Sequence, residues 1–369
     1  MDRKILEAAI LKLGQSPDLL AQFKADPIKV GATLGLDEHW SDVINRGERN
    51  LLRSAGVNDG VTILVSRWFQ DNLADSTSSD KFVFDGKPST DRPSIPKSVV
   101  FAGGCSHVPD LLARPEIDPE DAVERLKAAY ARLRDALAEA KPDVVVVTTD
   151  CHFQSFETGA FVVGVSDQHT GSMEFFKRPD LDLTVQGDPD FAQQIVQSAR
   201  DSQLEVEAAP AVNLDHGLIV PLRQVLPTPD TKVIPIVTQP ARTFSPFGAR
   251  AFGEALRNAI EGSGKRVALL ATGGLSHWLD PGKFGAVDTA FDDYILRMLE
   301  NGRGLDLANL EPYPLLDHGQ YEFLNWLIVL GALGPGVRAQ VYAYEPLEAS
   351  GGGWTVVNMN VDKQEVTHA

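Results

Sequence analysis

SVVFAGG at residues 98–104, PEDAVERLKAAYARLRDALAEA at 119–140 and DVVVVTTD at 143–150 together decide how this chain folds. The first and third are short apolar runs bounded by turn residues. The middle stretch repeats its apolar residues at three- and four-residue spacing, the period of an amphipathic helix. A strand, a helix and a second strand, both strands apolar on each face, imply a mostly parallel sheet covered on both sides by helices. GAFVVGVS (159–166), KVIPIVTQ (232–239) and RVALLATGG (266–274) read as further strands. Helices are predicted at 189–202, 248–263, 288–302 and 321–333. The expected fold is α/β: a mostly parallel mixed central sheet flanked by helices, preceded by a small all-helical domain.

That helical domain is read from residues 1–75, where LEAAILKL, PDLLAQFKADPIKVGATLGL, HWSDVINRGERNLLRSAG and DGVTILVSRWF all carry helical spacing. Ser16 is placed to cap a helix opening on Pro17, where a missing N–H costs nothing. Residues 76–97 are rich in Ser, Asp, Pro and Gly and bury little, so they read as a linker. The α/β domain then occupies 98–369.

The chain has 369 residues, 43% of them hydrophobic and 23% charged, enough for a sizeable core. A formal charge of −17 argues against a nucleic-acid partner or an anionic membrane surface. Two cysteines, Cys105 and Cys151, give neither a disulfide framework nor a CxxC motif. The start, MDRKILEAAILKLG, is charged and amphipathic, unlike a signal peptide. The longest apolar run, FLNWLIVLGALG from Phe323, is too short for a bilayer. A cytoplasmic location is expected.

Ligands of α/β sheets bind beyond the carboxyl ends of the strands. His107, in GGCSHVPDLL, and His152, in VVVVTTDCHFQSF, follow two such strands. His216, in NLDHGLIVPL, and His277, in LLATGGLSHW, have similar settings. Each alone suits a hydrogen-bonded structural histidine; four together suit a site. His39 and His368 read as solvated and His169 as a loop residue, while His318 is placed either to cap a helix or to line a cavity. Two imidazoles and a carboxylate on one face of an ion form the triad of non-haem Fe(II) oxygenases. A nucleophile triad fits less well, since no GxSxG elbow occurs and neither cysteine has a distinguishing context.

These motifs resemble the class III extradiol ring-cleavage dioxygenases, the family of protocatechuate 4,5-dioxygenase and gallate dioxygenase. GGCSHVPDLL is similar to the family's first metal-histidine motif and TTDCHFQSF to its second, which implies that His107 and His152 hold Fe(II). NLDHGLIVPL is similar to the motif of the acid–base histidine, which implies a catalytic His216. Residues 1–75 resemble the small α subunit of protocatechuate 4,5-dioxygenase, here an α-subunit-like cap domain fused ahead of a β-type catalytic domain. The resemblance implies a small aromatic substrate, dioxygen as co-substrate and a homodimer.

One position departs from the pattern. The resemblance places a third ligand, a glutamate, at the head of the helix AFDDYILRMLENG, where this chain has Ala290. Asp288 or Asp293 is then expected to reach in, or water or substrate fills the place. Alternatively the protein works without oxygen, as a hydrolase or lyase on a phenol or as a binding subunit. Asp215 is placed either to orient its neighbour's ring or to cap a turn. His277 is placed either to hold a ligand or to stabilise the fold. Lys177 and Arg178, in MEFFKRPD, read as anchors for an anionic substituent or as an exposed charged turn.

Overall fold

The computed structural model describes residues 3–45, 52, 57, 65, 82–152, 154, 156, 161–228, 230–240, 244–278, 283, 285–310 and 312–361. The chain divides into two compact units, residues 1–78 with 241–244, and residues 79–240 with 245–369.

In the first unit four helices follow one another: Arg3–Gln15, Pro17–Ala25, Pro27–Thr33 and Glu38–Asn45. Ser16 and Asp26 cap the second and third, accepting from the backbone N–H of Leu19 and Lys29, each with proline at the first helical position. Leu6, Ile10, Leu13, Phe23, Val43 and Ile44 close the core. Most of the predicted helical stretches between residues 46 and 75 lie outside the described residues.

The second unit is an eight-stranded mixed sheet with helices against it. Its centre is a parallel block: β7 (Lys232–Thr238), β2 (Val144–Asp150), β8 (Val267–Thr272) and β1 (Val99–Cys105). Every residue of β2 and β8 is buried, because helices cover both faces. β3 (Phe161–Gly164) joins β7 antiparallel and carries β6 (Val206–Ala209) at the edge. β10 (Gly352–Asn358) joins β1 antiparallel and carries β9 (Gln340–Leu347) at the other edge. A separate hairpin pairs β4 (Gln168–Gly171) with β5 (Leu183–Gln186).

The sequence reading anticipates β1, β2, β3, β7 and β8, but not β4, β5, β6, β9 or β10. The edge strands β6 and β9 are only half-buried, so they need no continuous apolar run. The helix Phe323–Leu333 is buried at every residue and packs on Pro246–Ser263. Gly253 and Gly331 let these two backbones meet: a Cβ on either would fall 2.2 Å from Ile328 O or 2.5 Å from Arg250 O. Among the described residues no helix is long and apolar enough to cross a membrane.

Candidate metal centre

Because β1, β2 and β8 run parallel, they end on one side of the sheet. β1 ends at Cys105 and β2 at Asp150, which sets His107 and His152 two residues beyond their strands, on either side of β8. Their ring centroids lie 4.9 Å apart. His216 opens the helix His216–Val225 and stands 4.0 Å from the His152 ring and 5.6 Å from that of His107. All three sequence-predicted site histidines therefore meet.

The outer nitrogens of the first two rings are committed. Thr272 Oγ1 donates to Gly217 O at 3.0 Å, so it accepts from His107 Nδ1 at 3.1 Å. His152 Nδ1 donates to Asp215 Oδ2 at 3.1 Å. In a neutral imidazole one nitrogen donates and the other keeps its lone pair. With both rings neutral, as a bound cation requires, each Nε2 carries its lone pair and the two face the same space, the usual arrangement of metal-binding histidines held from behind by an oxygen acceptor. Asp215 also accepts from Gly217 N at 2.9 Å. It caps the helix and orients a ring, and the ring is that of His152, not of its neighbour His216.

The carboxylate stands where the sequence reading did not look. Glu322, at the head of the helix Phe323–Leu333, brings Oε1 to 3.2 Å from His107 Nε2. Its Oε2 accepts from Gly274 N at 2.6 Å. Gly273 makes room for it: the residue has φ +123°, and a Cβ there would lie 2.6 Å from Glu322 Cβ. Asn325, one turn into the helix, donates to Thr272 O at 2.9 Å and accepts from Thr238 Oγ1 at 2.9 Å, tying the helix to the strand ends.

The ligand atoms of His107, Asp150, His152 and Glu322 lie within 4.8 Å of one another, as do those of His107, His152 and His216. An ion that holds nitrogen and oxygen at about 2 Å sets adjacent ligands about 3 Å apart, so the first set fits a divalent transition metal. Charge agrees. Asp150 and Glu322 are buried carboxylates, and two buried negative charges require two positive ones. In the metal-free protein the imidazoles meet that demand. Burial disfavours a charged His152, yet Asp150 and Asp215 push it up to about 10. Burial likewise opposes His107, and Glu322 outweighs it to raise the ring above its ordinary value. Glu322 is held well below the carboxylate range, burial notwithstanding, by His107. Burial raises Asp150. His216 falls to about 2 through burial and the adjacent His152 and His107, which keeps it neutral.

The expected replacements for a glutamate at Ala290 are occupied elsewhere. Asp288 caps the helix Thr289–Glu300 and pairs with His318 Nδ1 at 2.6 Å. Asp293 is exposed and pairs with Arg297 at 2.7 Å. Ala290 itself is exposed. With Glu322 in the set, the readings that followed from a missing carboxylate lose their ground. One signal pointed to Glu322: it is the acid leading a buried helix that is apolar but for Asn325.

His277 donates from Nδ1 to Gly351 O at 2.8 Å and is among the groups that lower Glu322, but it is not in either ligand set. His318 is buried, stacked on Phe291 with ring centroids 4.2 Å apart. His169, expected in a loop, is buried in β4. His39 is exposed, and His368 lies outside the described residues. Arg178 spends its guanidinium on Asp180 and on the carbonyl of Leu112, so it serves the turn. The neighbouring Phe176 meets the His216 ring edge-on at 5.2 Å.

A family model described as the catalytic LigB subunit of aromatic ring-opening dioxygenase matches residues 102–355. The chain belongs to this family. Its site residues His107, His152, His216, His277 and Glu322 all fall inside the matched LigB segment. Among the relatives is a 2,3-dihydroxyphenylpropionate/2,3-dihydroxicinnamic acid 1,2-dioxygenase of Mycolicibacterium vanbaalenii. It is 30% identical over 166 residues, 43% of this chain and 50% of that protein. The Rhodococcus rhodochrous enzyme of the same name is 33% identical over 181 residues, 47% of this chain and 54% of its own. A 2-aminophenol 1,6-dioxygenase beta subunit of Pseudomonas sp. is 29% identical over 164 residues, 42% and 53% respectively. The chain spans about half the length of the curated relatives it matches.

Proposed function

We propose that this chain is a non-haem Fe(II)-dependent extradiol dioxygenase that opens the ring of a catechol-type or hydroxylated aromatic acid substrate with dioxygen. The observation that carries the reading is the convergence of the two Nε2 atoms of His107 and His152 beside the clamped carboxylate of Glu322. Iron held there supplies neighbouring positions for substrate and dioxygen and a path for electrons between them.

The remaining work falls to the protein. Thr272 and Asp215 fix the two rings so that neither Nε2 turns away. His216, at the edge of the set, accepts a proton from a ring hydroxyl and returns it when the oxygen–oxygen bond breaks. Phe176, beside His216, offers its ring as a wall for the aromatic substrate. The substrates in the relatives' names, dihydroxylated aromatic acids and an aminophenol, support a substrate with adjacent oxygen or nitrogen donors. The proposal extends to residues 1–75 as an α-subunit-like unit, 76–97 as a linker, a homodimeric assembly and a cytoplasmic location.

The test is anaerobic loading with Fe(II), followed by oxygen uptake and absorbance of the ring-opened product across a panel of catechols. Iron-dependent uptake matched to product is expected, and it should fall at least about a hundredfold in His216→Asn. Oxygen uptake indifferent to iron, or turnover without oxygen, would sink the proposal.

A further inference from the structure

The second carboxylate of the set, Asp150, has no role in the reading above. It is the last residue of β2, only 5% exposed. Oδ2 stands 3.3 Å from His152 Nε2 and Oδ1 3.8 Å from His107 Nε2. Among the described residues no lysine or arginine pairs with it. Its hydrogen-bond donor is Asn325 Nδ2 at 3.5 Å, an amide that makes a shorter bond, 2.9 Å, to Thr272 O.

Glu322 is held quite differently, by Gly274 N at 2.6 Å and by the tight approach of Gly273. One carboxylate is clamped by a backbone amide, and the other faces the two imidazoles and a more distant side-chain amide. A buried, weakly tethered carboxylate costs free energy unless a cation faces it.

We propose that Asp150 is an exchangeable ligand of the metal: it binds the ion in the substrate-free enzyme and gives up its place when a catechol arrives. This rests on the proposed function, since it assumes a divalent ion between His107, His152 and Glu322. With two carboxylates the substrate-free centre is electrically neutral, which favours retention of the ion. Departure of Asp150 opens a position for the incoming oxygens and takes one negative charge off the ion as the catecholate brings its own. Binding linkage makes the two effects reciprocal: whatever Asp150 adds to the affinity for iron in the free enzyme, it subtracts from the affinity of the iron form for a catechol.

The experiment compares the whole chain with Asp150→Asn under argon, using Fe(II) with a competing chelator and then 4-nitrocatechol, whose colour reports binding. Asp150→Asn is expected to bind Fe(II) at least about tenfold more weakly, and its iron form to bind 4-nitrocatechol more tightly by a similar factor. Metal-free Asp150→Asn should gain less thermal stability on adding Fe(II) than the unaltered protein does. Equal iron affinity in the two proteins overturns the assignment, as does weaker binding of both ligands together. A crystal structure of the unaltered, substrate-free protein soaked in Fe(II) tests the same point without a substitution. An Asp150 oxygen about 2.2 Å from the ion supports it, and one beyond about 3 Å overturns it. If the unaltered protein takes up no Fe(II), the proposed function falls as well; uptake by the unaltered protein with no contribution from Asp150 removes this inference alone.

Discussion

At the ends of β1 and β2, and again at the head of the helix Thr289–Glu300, buried histidine meets carboxylate, but the two regions spend their lone pairs in opposite ways. Around Asp292 both carboxylate oxygens are closed. Its Oδ1 accepts from Ser276 N at 2.9 Å and Gln320 Nε2 at 2.7 Å, and its Oδ2 from Ser276 Oγ and Tyr344 OH, both at 2.7 Å. Asp288 likewise serves a helix cap and His318. Around His107 and His152 the hydrogen bonds are made from behind, by Thr272 and Asp215, while the inner nitrogens and the carboxylates of Asp150 and Glu322 converge on one another. A satisfied network holds a fold together; a converging set of acceptors needs a cation. Residue types alone do not separate the two, since both offer histidine and aspartate.

The comparison breaks most sharply at Glu322. Replacing it by Gln removes the negative ligand and keeps the shape, so iron affinity should fall by more than about a hundredfold. Changes even to groups behind a ligand cost about ten- to a hundredfold. Chelator competition measures it, and iron retained at full affinity would place the metal elsewhere. At Asp292 the effect should fall on the fold instead. Asp292→Ala strands four donors in a buried place and should cost about 3–5 kcal/mol in urea unfolding, with iron uptake per folded molecule unchanged. Burial, partly offset by its four donors, pushes Asp292 up to about 6. Its folded value therefore lies above the unfolded one of 3.8, and its contribution is full below that value and lost as pH rises through about 6. The penalty of Asp292→Ala should thus shrink between pH 4 and pH 7; a penalty that grows over this range would contradict the assignment.

Much of this was legible beforehand because buried parallel strands announce themselves. Val144–Val147 and the run ending at Thr272 have no polar face to show, and a histidine just beyond such a strand has few places to be except the strand-end site. The edge strands were hidden for the converse reason: Gln340–Leu347 is half-covered and mixes tyrosine, glutamate and proline with its apolar residues. The third ligand was hidden by context. DTAFDD looks like an acidic, ligand-rich helix start, which is also how an ordinary exposed helix N-terminus looks. Glu322 is a lone acid in front of FLNWLIVLGAL, and its meaning appears only when that helix is seen to be buried along its whole length. Spacing along the chain does not record that Gly273 and Gly274 fold back to receive it.

Ala290 supplies the smallest expected effect and the finest test of the contrast. A glutamate placed there sits on an exposed first turn, where a negative charge meets the positive end of the helix and gains at most about 0.3–1 kcal/mol. Its neighbours Asp288 and Asp293 face His318 and Arg297, not the histidines of the candidate centre. Ala290→Glu should therefore leave Fe(II) affinity unchanged within about a factor of two, a difference of about 0.4 kcal/mol, and move thermal stability slightly upward if at all. The same substitution was the natural repair if Ala290 were a lost ligand, and in that case iron affinity would rise steeply. Titrating Fe(II) into both proteins side by side separates the two: a strong gain in Ala290→Glu would mean that this helix head approaches the ion, and that Glu322 serves the fold instead.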